Sequence, residues 1–277
     1  MKLIDFDGLF DEKLAQYMSE NKKKHTEKQW EDVIPKLYKK FGDTFIAKIG
    51  CTPKEYYARM GDEELVTTLK AHLEKDVPVP EFLCTEIESR NNAAALLGLL
   101  DTEDTQTASY AVNLIGDDAC AFDSYFSILT ENRFDEEIRS DLCDILRMHA
   151  DEVKTQALTI YKQGIATTYM LEILSRVKAR DEEIYALLLK AFLLADDTSV
   201  TAGYLAAYGD ERALPDLLRK IEDRSIGFVE FQELKYAIEA LGGEYNEPRD
   251  FSADKDYIAV ETVSAKALSG ETDGLQS

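Results

Sequence analysis

The sequence predicts an all-α protein without a β-sheet. Apolar residues recur at helical spacing along the chain, and most Gly and Pro residues fall between these apolar runs. No Asn-Gly or Asp-Gly pair joins two segments of alternating polarity, which would be the strongest short-range signal of a β-hairpin. We therefore expect a chain of helices that are connected by short turns.

Residues 1–79 are predicted to form a small helical N-terminal module. Thr26 and Gln29 have the spacing of a capping box, in which each side chain bonds to the backbone of the other residue at a helix start. Thr52 is predicted to cap a further helix. Glu55 has the spacing that completes a capping box with it, and Pro53 suits the first helical position. The Val-Pro-Val-Pro stretch at 77–80 disfavours helix and indicates the end of this module.

Residues 80–243 are predicted to form a solenoid of two-helix repeats. The turn at Gly116-Asp117 corresponds to the turn at Gly209-Asp210, and the two glycines are 93 residues apart, which equals three steps of 31. Each glycine is expected to end one helix, and the acids after it favour the start of the next. A period of this size that is built from two helices indicates an α-α superhelix.

The segment 202–218 closely resembles the HEAT-like repeat of the phycobilisome-lyase type. It contains a helix of small residues, then Gly209-Asp210, then the run Arg-Ala-Leu-Pro and a pair of leucines. The likeness is partial at Gly116 and extends over about residues 80–243. This resemblance implies a HEAT-like solenoid whose second helices line the concave side. It implies no particular function, because the repeat serves many.

Residues 244–277 are predicted to form a polar tail that either caps the solenoid or is disordered. The segment is rich in Ser, Gly and charged residues, which favours mobility over packing. A solenoid end needs a cover, and a short apolar element in this segment could supply it. The residues of that element are Tyr257, Ile258, Val260 and Val263.

The negative charge of the chain is concentrated after residue 80. Residues 1–80 hold 14 basic and 15 acidic side chains, whereas residues 81–277 hold 18 basic and 39 acidic ones. DNA is bound mainly through Lys and Arg, so the acidic part is expected to repel nucleic acid. Acids near the start interrupt the apolar stretch that a signal peptide needs, and the longest uncharged apolar run is too short to cross a membrane. We therefore expect a cytoplasmic protein without membrane contact.

Lysines and aromatic residues alternate in the N-terminal module, as they do on many surfaces that bind single-stranded nucleic acid. Lys39 and Lys40, for example, lie close in sequence to Trp30, Tyr38 and Phe41. Nearby acids cancel the lysine charge, so we interpret the aromatic residues as core and the lysines as solvated.

No pattern of residues predicts catalysis, a metal site or a bound cofactor. His25, His72 and His149 are isolated from one another and from any metal-binding or nucleophile signature. The four cysteines are separated by 33, 36 and 23 residues, so we interpret them as small core residues that stay reduced. Paired acids lie at predicted helix starts, where capping explains them. We therefore expect a protein that is not an enzyme.

The predicted function is a non-enzymatic scaffold that binds a protein or peptide in the groove of the solenoid. The negative charge of the chain favours a basic partner. The alternative is an acidic inhibitor or immunity-type protein that blocks a basic partner such as a nuclease. A further alternative is an enzyme similar to HEAT-like DNA glycosylases or bilin lyases, although the acidic repeat region argues against a glycosylase. The alignment of Gly116 with Gly209, together with a second apolar stripe in the predicted helix 181–195, gives the candidate binding residues Asp123, Phe126, Tyr185, Leu189, Asp216 and Arg219.

Overall fold

The all-α prediction is confirmed by the structure, a computed structural model that describes residues 3–21, 24 and 26–269. Within these residues the chain contains 16 α-helices, three short 3₁₀ turns and no β-strand. The chain divides into two compact units, Met1–Leu142 and Cys143–Ser277. The boundaries that the sequence suggests near residues 80 and 244 remain predictions.

Two helices of the first unit begin at capping boxes that the sequence predicts. The helices of this unit are α1 (Phe6–Asn21), α2 (Glu27–Gly42), α3 (Pro53–Ala58), α4 (Asp62–Glu74), α5 (Glu81–Arg90), α6 (Ala93–Leu96), α7 (Thr105–Ile115) and α8 (Phe122–Glu131), and α9 (Glu136–Met148) crosses the boundary between the units. The capping box of Thr26 and Gln29 is present at α2, and Thr52 and Glu55 form another at α3. The two predicted caps are thus confirmed.

An aromatic and aliphatic core holds the first unit together. The ring of Phe6 in α1 packs edge-on against the ring of Tyr57 in α3, with centroids 5.7 Å apart. Both rings are fully buried, as is Leu69 of α4, and Trp30 is 8% exposed. The interpretation of the aromatic residues as core is confirmed for Trp30, Phe41 and Tyr57, whereas Tyr38 is half-buried and Phe45 is 64% exposed.

The helices of the second unit pack against the next helix along the chain or against the one after it. They are the end of α9, then α10 (Ala150–Lys162), α11 (Thr167–Leu174), α12 (Glu182–Leu194), α13 (Ser199–Tyr208), α14 (Leu214–Ile221), α15 (Phe228–Ala240) and α16 (Lys255–Ser269). Helix α13 packs extensively against α15 and less so against α11, while α12 contacts α13 and α14 contacts α15. This packing of neighbouring helices is consistent with an α-helical solenoid.

Hydrogen bonds join several turns to positions 27 to 33 residues away along the chain. Asp151 accepts a hydrogen bond from the amide of Lys178 at 3.0 Å, and Arg180 donates to the carbonyl of Gly209 at 3.1 Å. The partners are 27 and 29 residues apart. In the first unit, Arg133 donates to a carbonyl 33 residues earlier. These separations lie close to the repeat length that the sequence predicts.

The two turns that define the repeat differ by one residue. Gly116 and Gly209 have φ values of 61° and 72°, as expected for glycines that end helices. The next helical segment is capped by Asp118 in one case and by Asp210 in the other, so the first turn holds one extra residue. Beyond these turns, equivalent positions are therefore 92 residues apart instead of 93. The pairs that are buried at this spacing are Ala121 and Ala213, Tyr125 and Leu217, and Leu129 and Ile221.

Part of the predicted tail forms helix α16, which packs on α15. The ring of Tyr257 lies edge-on to that of Phe228 at 5.1 Å. Asp254 accepts hydrogen bonds from the amides of both residues, at 3.1 Å from Phe228 and 3.2 Å from Tyr257. The side chains of Ile258 and Val263 are 50% and 68% exposed, so Tyr257 makes the main contact. Residues 270–277 lie outside the described residues.

Alanine substitutions at two glycines are expected to change stability in opposite directions. Gly209 has φ 72°, a region that other residues rarely adopt, so Gly209→Ala should lower the free energy of unfolding by about 1 kcal/mol. Gly203 lies inside α13, and no atom lies within 4 Å of the position that its Cβ would take. Gly203→Ala should therefore raise the free energy of unfolding by up to about 1 kcal/mol through helix propensity. Urea denaturation measures both changes, and shifts of the same sign would contradict this description of the turn.

Candidate partner-binding surfaces

The six predicted binding residues lie on three helices in two units. Asp123 and Phe126 belong to α8, Tyr185 and Leu189 to α12, and Asp216 and Arg219 to α14. The side chains of Asp123 and Arg219 are exposed, whereas those of Tyr185, Leu189 and Asp216 are half-buried. Phe126 is buried.

The prediction that Phe126 faces a partner is wrong, because its side chain lies in the core. It is 2% exposed, and the neighbouring Tyr125 is fully buried with its hydroxyl donating to the Gly116 carbonyl at 2.8 Å. The alignment at 93 residues placed Phe126 on Arg219, but the spacing of 92 residues places it on Leu218. A shift of one residue rotates a helical position by about 100°, which explains the wrong face.

Tyr185 is covered by an arginine of its own unit. The guanidinium carbon of Arg212 lies 4.2 Å from the centre of the Tyr185 ring, in cation–π contact. Asp210 accepts hydrogen bonds from Nε of Arg212 at 3.0 Å and from Nη2 at 2.7 Å. Glu182 accepts from Nη1 at 3.0 Å. One face of this tyrosine is therefore already occupied by an intramolecular contact.

Asp210 is a buried carboxylate that holds two arginines. It is 4% exposed, and it pairs with Arg180 at 2.9 Å in addition to Arg212. The hydrogen bonds from Arg212, supported by the charge of Arg180, lower the pKa of Asp210 to about 2. On the surface of α14, Asp216 and Arg219 pair with each other at 2.7 Å. Asp210, Asp216 and Arg219, which lie at or near the predicted binding residues, therefore already form ion pairs within the chain.

A different surface of the second unit is open. It is a groove of about 320 Å³ between α11, α13 and α15, which we call the α13 groove. Its lining includes Glu172, Arg176, Val200, Gly203, Ala207 and Tyr236. Val200 is 60% exposed and Tyr236 is 66% exposed, so two large hydrophobic side chains at this groove are accessible to solvent.

Small residues form the α13 side of this groove. Val200, Gly203 and Ala207 follow one another at i, i+3 and i+7 and therefore share one face of α13. Ala240 contributes a further small side chain from α15. The space above Gly203 is empty, since nothing lies within 4 Å of its would-be Cβ. A side chain from another molecule can therefore approach the α13 backbone closely.

No protein-family model, curated protein or solved structure matches this chain. The similarity to HEAT-like repeats therefore stays a prediction, which depends on the segment 202–218.

Sequence reasoning missed the α13 groove because the HEAT-like resemblance directed it to the second helix of each pair. In the predicted two-helix repeats, α11, α13 and α15 would be the first helices. The signal that could have revealed the groove is the set of small residues in α13, namely Ala202, Gly203, Ala206 and Ala207. Ala202 packs in the core, but Gly203, Ala206 and Ala207 line the groove.

The histidines lie in separate environments. His72 is fully buried, and its Nδ1 lies 2.8 Å from the carbonyl oxygen of Pro78. Nδ1 of His149 lies 3.2 Å from the carboxylate of Glu152. His25 lies outside the described residues. Among the residues that the structure describes, no group of three His, Cys, Asp or Glu side chains is arranged to hold a metal ion.

The cysteines are free thiols in different degrees of burial. Cys51 and Cys143 are buried, as the sequence interpretation expects, whereas Cys120 is exposed. Burial raises the pKa of the half-buried Cys84 to about 11, so its thiol is protonated at neutral pH.

Across the described part of the chain, no helix has both the length and the apolar character needed to cross a membrane.

Proposed function

We propose that this chain is a non-enzymatic scaffold that binds a peptide segment of another protein in the α13 groove. The observation that carries the proposal is the exposure of Val200 and Tyr236 beside a wall of small residues. Exposed apolar side chains that cluster at a concave surface are typical of interaction sites. The proposal retains the HEAT-like interpretation of residues 80–243 and moves the site from the second helices to the first.

A large apolar side chain of the partner would be the anchor of the complex. It would lie over Gly203 and Ala207, where no side chain of this protein fills the space. Tyr236 and Val200 would then lose their contact with water on either side of it. Binding energy concentrates in such central, desolvated contacts, and tyrosine is frequent among them.

Charge favours a partner whose anchor is flanked by basic residues. Glu233 and Glu239 lie three residues before and after Tyr236 and are therefore its neighbours on the surface of α15. Glu239 is only weakly paired, with Lys235 at 3.9 Å. The formal net charge of the whole chain is −22, which attracts basic proteins and accelerates association at low salt.

Tyr236→Ala is expected to weaken partner binding by at least about tenfold, because it removes one of the two exposed apolar side chains that would flank the partner's anchor. Affinity capture from native lysate with wild type, Tyr236→Ala and Phe45→Ala identifies proteins that depend on Tyr236. Phe45 is a matched control, since it is an aromatic residue 64% exposed in the first unit. The affinity of each captured protein for the three chains is then measured by titration calorimetry.

Three outcomes would reject this site. Equal affinity of a partner for wild type and Tyr236→Ala would exclude the α13 groove. Loss of binding only in Tyr185→Ala with Leu189→Ala would favour the surface that the sequence predicts. Binding that disappears at high salt and ignores Tyr236 would favour the acidic inhibitor, because charge alone would then hold the partner.

A further inference from the structure

A second concave surface lies entirely within the first unit. It is a cleft of about 730 Å³ between α1, α2, α3 and α5, which we call the aromatic cleft. Its volume is within the range of about 300–1,000 Å³ that is usual for ligand sites. Its walls include Ile34, Pro35 and Lys39 of α2 and Glu81, Thr85 and Ser89 of α5.

The floor of the aromatic cleft is a fixed group of rings. Tyr38 of α2 stacks on Phe82 of α5, with centroids 4.6 Å apart and planes within 5° of parallel. Phe10 of α1 meets Tyr38 edge-on at 4.9 Å. The Tyr38 hydroxyl donates a hydrogen bond to the Asp7 carboxylate at 2.5 Å, and burial together with this bond raises the pKa of Tyr38. The floor is therefore uncharged, apolar and held by three helices.

One wall of the aromatic cleft is a single face of α5. Phe82, Thr85 and Ser89 line it at i, i+3 and i+7, and thus lie on one face of the helix. At about 1.5 Å per residue these positions span roughly 10 Å, or two helical turns. Two turns of another helix present apolar anchors at the same spacing of i, i+3 or i+4, and i+7.

The two walls carry opposite charges that are available to a ligand. Lys39 on α2 and Glu81 on α5 form no ion pair with other described residues. By contrast, Lys54 pairs with Asp43 at 2.8 Å and Glu86 pairs with an arginine at 2.8 Å. A ligand with a single charge is attracted by one wall and repelled by the other. A helix can present an acid to one wall and a base to the other at the same time.

We propose that the aromatic cleft binds an amphipathic α-helix of a partner protein. The apolar stripe of that helix lies on Tyr38 and Phe82, its acidic flank faces Lys39, and its basic flank faces Glu81. The site is in the first unit and does not depend on the α13 groove, so a failed test of one surface leaves the other proposal intact.

Designed helical peptides test this proposal on the full chain. Labelled peptides of about 15 residues, long enough to form a helix when bound, carry Leu at i, i+3, i+4 and i+7. One peptide has a Glu flank and a Lys flank, a second has Glu on both flanks, a third has Lys on both, and a fourth has the mixed flanks with a central proline. Fluorescence anisotropy is expected to show that the mixed peptide binds at least about tenfold more tightly than either single-charge peptide. The proline peptide should not bind, because its helix is broken.

Two variants locate the peptide. Lys39→Glu makes both walls acidic, so the preference should change from the mixed peptide to the peptide with Lys on both flanks. Thr85→Trp fills the cleft and should abolish binding of the mixed peptide. Thr67→Trp is the matched control, because Thr67 is an exposed threonine on α4, outside the cleft. Circular dichroism and melting temperatures verify that all three variants fold.

Several results would overturn the proposal. These are no binding of the mixed peptide up to about 1 mM, equal binding of the proline peptide, an unchanged preference in Lys39→Glu, or unchanged binding in Thr85→Trp. Binding of the aromatic anion 1-anilinonaphthalene-8-sulfonate without any binding of the mixed peptide would also overturn it, and would indicate a small-molecule site instead.

Discussion

Replacing Phe126 with alanine is expected to lower the free energy of unfolding by about 3–5 kcal/mol, the usual cost of deleting a ring from a packed core. The Phe126 side chain is 2% exposed, and Ile128 and Leu129 on the same helix are at most 2% exposed. The space left by the ring would be enclosed by buried side chains, which limits how far the core can collapse. Urea denaturation followed by circular dichroism measures the loss.

Phe45→Ala is the control for Phe126→Ala. Phe45 is 64% exposed, so its replacement should change the free energy of unfolding by no more than about 0.5 kcal/mol. Similar small effects for both variants would show that Phe126 is accessible, as the sequence alignment suggested. The large difference that we expect would establish Phe126 as a structural residue.

Replacing Asp210 with asparagine is expected to lower the free energy of unfolding by about 2 kcal/mol at pH 7, since its pKa falls from 3.8 to about 2 on folding. Asparagine keeps the oxygen that caps the Arg212 amide but removes the charge that holds Arg180 and Arg212. Arg180 and Arg212 would then share a neutral partner. The Arg212 guanidinium, which packs on the Tyr185 ring, would no longer be held in place by an ion pair with this side chain.

The pH dependence provides a second measurement for Asp210. Because folding lowers the pKa, the stabilisation by this carboxylate is complete above about pH 4 and is lost as the pH falls towards 2. The difference in stability between wild type and Asp210→Asn should therefore shrink over this range. Asp216→Asn is the matched control; its pair with Arg219 is largely exposed on the arginine side, so a change of no more than about 1 kcal/mol is expected. A constant difference from pH 7 to pH 2 would contradict the role given to Asp210.

Local features of the fold could be predicted from the sequence because they depend on neighbouring residues. The capping boxes at Thr26 and Thr52 and the positive φ of Gly209 need only a few adjacent positions, and all three are present. The all-α class followed from the same short-range patterns. Phe126 shows where this reasoning ends, since a single extra residue in the Gly116 turn changed the face of the next helix.

The candidate surfaces could not be predicted because they depend on contacts between separate helices. The aromatic cleft requires Tyr38 to stack on Phe82, which lies 44 positions further along the chain. Nothing near either residue in the sequence specifies that pairing. The α13 groove likewise requires Val200 and Tyr236 to be left exposed by the packing of two helices, and an apolar residue at a helical position is usually buried.

The hydrogen bonds between successive turns have a consequence for how the second unit opens. Asp151 and Arg180 each fasten a turn to the next one, at separations of 27 and 29 residues. Helices between two such turns are held by hydrogen bonds at both ends. By contrast, α16 contacts chiefly α15, and its side chains Ile258 and Val263 are 50% and 68% exposed. Local opening starts in elements that are held by few buried apolar contacts. The amides of α16 should therefore be the first of the second unit to lose protection from hydrogen exchange, while those of α13, which forms one wall of the α13 groove, stay protected.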